Sequence, residues 1–173
     1  DIAGGFGKFI NKMKQRNPDK RLAFNAVSRH GQSKIAAAPT DFLYNEVWDV
    51  NFNELKRVID ENNSYSNGTK NTIYAAYMNY EYAKKSEAKH FNTPAVLLTD
   101  AVMFALGGAH LELGEHMLCS EYFPNTSITM NRELERLLLP YYDFLVAYEN
   151  LLRDGAVYAE ISITDRLGEI EFT

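Results

Sequence analysis

At 173 residues the chain is long enough for one domain with a sizeable core, and its 46% hydrophobic and 24% charged residues are ordinary globular values. A net charge of −5 and a pI near 5.4 argue against nucleic acid or an anionic membrane as partner, and the longest apolar runs are broken by Asp100 and by Gly107-Gly108 well before the length of a membrane span. A single cysteine, Cys119, excludes an internal disulfide and a cysteine-based zinc site, and no base stands near it to make it a nucleophile.

The opening residues 1–5 read as the end of a loop, as in one segment of a larger chain. Phe6, Phe9, Ile10 and Met13 recur at helical spacing, and Asn17-Pro18-Asp19 turns the chain. Residues 21–28 are short and apolar, as in a buried parallel strand, and residues 31–38 form a weak short helix closed by Pro39. Phe42 to Trp48 is a second strand. Its alternation puts Phe42, Tyr44, Glu46 and Trp48 on one face and Leu43, Asn45 and Val47 on the other.

Phe52, Leu55, Val58 and Ile59 make an amphipathic helix, followed by an Asn/Ser/Gly loop over residues 62–71 and a third strand from Thr72 to Asn79. Residues 81–89 are polar and read as helix. Thr93-Pro94 opens the next helix, with the Thr93 hydroxyl as cap, and Gly107 closes it. Ala109 to Leu113 is a fourth strand, and a long loop leads to Asn131, which caps a last helix that Pro140 should kink or split before Arg153. Beyond Gly155 the alternation of Val157, Ala159, Ile161 and Ile163, with a return over residues 169–172, is a β-hairpin.

Strands alternating with helices imply an α/β fold with a parallel sheet. Four β/α units are either a doubly wound sheet or half of a (β/α)8 barrel, a fold of about 250 residues; the abrupt start favours the half-barrel. A half-barrel exposes two strand edges, so it would need the remaining half or a second copy for stability.

Chemistry in such folds gathers at the carboxyl ends of strands. Here those ends are Asn25 to Arg29, Glu46 with Trp48, Asn79 to Glu81, and His110 to His116. Carboxylates, amides, imidazoles and aromatic rings with few cations suit a neutral polyhydroxylated substrate, and neither a P-loop nor a dinucleotide fingerprint is present. Glu46 would sit between the rings of Tyr44 and Trp48, a setting that suits a carboxyl to proton donation, though a strand-end glutamate facing solvent is the plainer alternative. The run from His110 to His116 is rich in ligand-type groups but fits no zinc spacing, so His110 and Glu112 read as substrate contacts, while Glu115 and His116 could equally be loop residues. Tyr141, Tyr142 and Tyr148 fall at helical spacing with Leu138 and Leu145 and read as core.

Specific words in the chain carry a family likeness. Phe42 to Trp48 (FLYNEVW), Gly107 to Glu115 (GGAHLELGE), Glu121 to Asn125 (EYFPN) and Tyr141 to Asp154 (YYDFLVAYENLLRD) resemble glycoside hydrolase family 66, the family of endo-dextranases and cycloisomaltooligosaccharide glucanotransferases. The resemblance implies a (β/α)8 catalytic barrel, with residues 1–155 as its last four β/α units and the hairpin in residues 156–173 as the passage to a C-terminal β-domain. It implies retaining cleavage of α-1,6-glucosidic links in dextran by an aspartate nucleophile and a glutamate acid/base. Glu46 matches the glutamate, and the nucleophile is expected upstream of Asp1. Tyr44, Trp48, Asn79, Tyr80, His110, Glu112 and Glu115 would line the sugar site, with no metal or cofactor. The implied partner is an α-1,6-glucan, neither nucleic acid nor membrane, and the implied location is secreted or at a bacterial cell surface. A non-catalytic or glucan-binding fragment, and a transglycosylase making cyclic products, are the alternatives.

Overall fold

Three parallel strands, each followed or preceded by helix, organise the protein in a computed structural model that describes residues 1–47, 52–76, 85, 87, 89–111 and 129–154. In chain order the elements are α1 (Ile2–Arg16), α2 (Gln32–Ala36), β1 (Leu43–Val47), α3 (Phe52–Ser66), β2 (Thr72–Ala76), α4 (Thr93–Ala105), β3 (Gly108–His110), α5 (Arg132–Ala147) and α6 (Glu149–Leu152). The sheet order is β1-β2-β3, and both pairings are parallel. The hairpin expected over 157–172, all but residues 85, 87 and 89 of the helix expected over 81–89, and the outer ends of the expected strands lie outside the described residues.

The helix ends follow local chemistry. The Asp1 carboxylate accepts from the Ala3 N–H at the start of α1, while Lys14 and Arg16 lie in its last turn, where the helix dipole favours cations. The α4 cap is Asn92, not Thr93 as expected: the Asn92 side chain accepts from the Ala95 N–H at 2.9 Å, and Thr93 is already helical. Thr93 instead bonds Asn131, whose own side chain caps α5 through the Leu134 N–H at 2.8 Å. Gly107 closes α4 at φ +97°, in the left-handed region that glycine enters freely.

Three further expectations need correction. Residues 21–28 form no strand: their ladder contact is a single parallel bridge from Asn25 to Tyr44, and Val27–Arg29 is a 3-10 turn. The helix α3 runs on through Ser66, into the stretch read as loop, because Asn62 on its buried side bonds Asn45 and Thr72, while the Ser66 hydroxyl donates to the Asn62 carbonyl one turn back. Pro140 sits within α5 without splitting it; the break comes at Tyr148, whose φ of −111° separates α5 from α6.

Strand register divides the sheet into two faces. Leu43, Asn45, Val47, Thr72, Tyr74, Ala76, Gly108 and His110 share one face, and Tyr44, Glu46, Ile73, Ala75 and Ala109 share the other. Helices cover the first. Val47, Tyr74 and Ala76 pack with Leu55, Val58 and Ile59 of α3 and with Val96 and Met103 of α4, while Leu43 packs with Ile10, Ile35 and Ala36 of α1 and α2. Tyr74 is fully buried there and donates its hydroxyl to the Leu55 carbonyl; burial holds its pKa well above the usual tyrosine range.

The fixed Tyr74 ring is why residue 108 is glycine. A Cβ at Gly108 would stand 2.7 Å from Tyr74 Cε2 and 3.2 Å from Ile59 Cδ1. Gly108→Ala is expected to destabilise the fold by about 1–3 kcal/mol, as overpacking does. An unchanged denaturation midpoint would show that the ring yields.

Candidate active site

Glu46 stands next to the last residue of β1, paired with Ala75 of β2, on the face turned away from the described helices. Tyr44 lies two residues back on the same face, opposite Ile73 and bridged to Asn25. Both side chains are half-buried, whereas Leu43, Asn45 and Val47 between and beside them are buried. Burial, and secondarily the Glu46 charge, hold the Tyr44 phenol above its ordinary pKa. The neighbour the structure gives Glu46 is an amide: Asn25 Nδ2 donates to Glu46 Oε1 at 2.9 Å. Sequence reasoning placed Asn25 at a strand end without assigning it to the site.

On the opposite side of β1 a buried amide cluster fixes the strand. Asn45 Oδ1 accepts from Asn62 Nδ2 at 2.7 Å and from Gln32 Nε2 at 3.4 Å. The same Asn62 amide reaches Thr72 Oγ1 at 3.0 Å, and Gln32 donates to Asn62 Oδ1 at 3.0 Å. Residues from α2, α3, β1 and β2 are thus joined by side chains at one point.

His110 does not share the Glu46 face. Its ring is turned into the helix layer, 0% exposed, with Nδ1 at 2.8 Å from Asp100 Oδ1 and Nε2 at 3.1 Å from the Ala76 carbonyl. A carbonyl only accepts, so the contact to Ala76 makes Nε2 the donor. Here His110 secures the end of β2 where the β2–β3 ladder stops. Asp100 and His110 also line a cavity of about 300 Å³, walled by Phe104, Tyr142, Leu145 and Val146. Trp48, Asn79, Tyr80, Glu112 and Glu115 lie outside the described residues. Among the described residues no cluster of His, Cys, Asp or Glu is arranged to hold a metal ion, and no helix is long and apolar enough to cross a membrane.

A parallel sheet with a carboxyl at a strand's outgoing end and a phenol and amide beside it is suited to proton transfer onto a polar ligand. Comparison with known proteins places it: the sequence profile of glycosyl hydrolase family 66 matches residues 1–172. The chain belongs to that family. Within the family, a dextranase of Streptococcus salivarius is 28% identical over 191 aligned positions, covering 90% of this chain and 23% of the relative. A cycloisomaltooligosaccharide glucanotransferase of Niallia circulans is 46% identical over 69 residues, 39% of this chain and 7% of the relative. The chain therefore spans less than a quarter of the length of these family 66 relatives.

Proposed function

We propose that this family 66 chain is part of a (β/α)8 catalytic barrel that hydrolyses internal α-1,6-glucosidic links of dextran with retention, Glu46 being the general acid and then the general base. The observation that carries this reading is the placement of Glu46 at the outgoing end of a parallel strand, on the face opposite the described helices. The order β1-β2-β3 without reversal, with the described helices packed on one face, supports a barrel segment over a doubly wound sheet, which carries helices on both faces. The dextranase relative supports the substrate.

In this reading Glu46 protonates the departing glycosidic oxygen while a carboxylate about 5–5.5 Å away attacks the anomeric carbon. Glu46 then takes a proton from the water that releases the sugar. The nucleophile is assigned to a strand upstream of Asp1, in the rest of the barrel, which also covers the sheet edges. Tyr44, Trp48, Asn79, Tyr80, Glu112 and Glu115 are assigned to the sugar rings and hydroxyls, and His110 to holding the end of β2 from behind the sheet. Dextran being an extracellular polymer, the enzyme is assigned to the cell exterior.

The higher identity of the cyclising relative over its shorter match favours a second reading, transglycosylation to cyclic isomalto-oligosaccharides. Product analysis separates the two. The full-length protein incubated with dextran is expected to release linear isomalto-oligosaccharides whose new reducing ends appear first as the α-anomer by NMR. Cyclic products would assign the transferase reading, β-anomers would overturn retention, and intact dextran would overturn both activities.

A further inference from the structure

We infer that Asn25 is a positioning residue for the Glu46 carboxyl, and that it fixes which oxygen delivers the proton. This rests on the reading of Glu46 as acid/base. The Nδ2 of Asn25 donates to Glu46 Oε1 at 2.9 Å, and an amide N–H offers that oxygen no acceptor. With Oε1 held, the transferable proton resides on Oε2. It passes from Oε2 to the glycosidic oxygen as the bond from that oxygen to the anomeric carbon breaks and its electron pair moves onto the oxygen.

The surroundings show that Asn25 is held in place. It meets β1 through one backbone bridge to Tyr44, so its position depends on the turn just after it in the chain. Ser28 and Arg29 form that turn, both with positive φ (51° and 58°), a conformation that costs a non-glycine residue about 1–2 kcal/mol. Something must hold it. The Arg29 guanidinium does so, at 3.2 Å from Glu54 Oε1 and 3.6 Å from Glu61 Oε2, both on α3, the helix next in sequence to the Glu46 strand. The same helix thus anchors the turn behind Asn25 and, through Asn62, the backbone beside Glu46. Asn25 itself is exposed, so its amide contributes little to packing.

The test exploits the leaving group. Dextran needs a proton delivered to the departing oxygen, whereas an isomalto-oligosaccharyl fluoride departs without one. In the full-length protein, Asn25→Ala is expected to lower kcat on dextran about tenfold, the scale of one hydrogen bond to a charged group. KM and the rate of the first, fluoride-releasing step should stay within about twofold. Asn25→Asp keeps the shape and removes the donor, and should lose at least as much on dextran. It also serves if the alanine variant is poorly folded. An equal loss in the fluoride-releasing step, or a wild-type kcat on dextran in either variant, would overturn the inference while leaving the Glu46 assignment intact. A Glu46→Gln variant fully active on dextran would instead remove the assignment on which it rests.

Discussion

Glu46→Gln in the full-length enzyme is expected to lower kcat on dextran by roughly 10²- to 10⁴-fold, the range that a positioned general acid supplies. Glutamine keeps the shape and the contact distance to Asn25 but has no proton to give, so the loss measures proton transfer and not packing. The fall should concern kcat more than KM, because the interaction is made with the developing alkoxide and not with the bound sugar. On an isomalto-oligosaccharyl fluoride the first step needs no acid, and the glycosyl-enzyme should accumulate because no base activates water. Azide, a nucleophile that needs no base, should then restore turnover and yield an α-glycosyl azide, the configuration of two successive inversions. Near-full activity on dextran would sink the role of Glu46; a β-azide would sink the double displacement.

The second large effect is on stability. Asp100→Ala is expected to cost about 3–5 kcal/mol, read as a lowered urea midpoint, because it leaves one member of a buried polar pair without the other. Neither side chain reaches solvent, being 0% and 1% exposed, and the pair borders a largely apolar cavity. The carboxylate is felt by its surroundings: burial first, and the Asp100 charge second, raise the pKa of the nearby Tyr141 phenol. Asp100→Asn should cost less, since an amide N–H can still donate to Nδ1 of a neutral ring whose Nε2–H faces Ala76. Equal midpoints for wild type and Asp100→Ala would show that the His110 ring needs no partner there.

The alternation of strand and helix was legible because periodicity records burial: Leu43, Asn45 and Val47 inward against Tyr44 and Glu46 outward is the observed pattern of β1. The long helices were legible for the same reason, and the Asn131 cap because its side chain acts within one turn. What escaped depends on partners distant in sequence. The polar stretch after Asn62 looks like loop, yet its first asparagine bonds Asn45 and Thr72, so the helix continues. The apolar run over residues 21–28 looks like strand, but the turn at Ser28 and Arg29 leaves it a single bridge. His110 looks like a site residue from its position at a strand end; which face it takes is set by its register with Tyr74, which no local pattern reveals. The partnership of Asn25 with Glu46 spans 21 residues and was invisible for the same reason.

The amide cluster behind β1 has a consequence for rate as well as for folding. Asn45 is the residue immediately before Glu46, and its buried side chain is gripped by Asn62 and Gln32 before any sugar arrives. The backbone that carries Glu46 is therefore already ordered without a ligand. Under the proposed role of Glu46, the strand that carries the acid is preorganised, and substrate binding energy is not needed to assemble it.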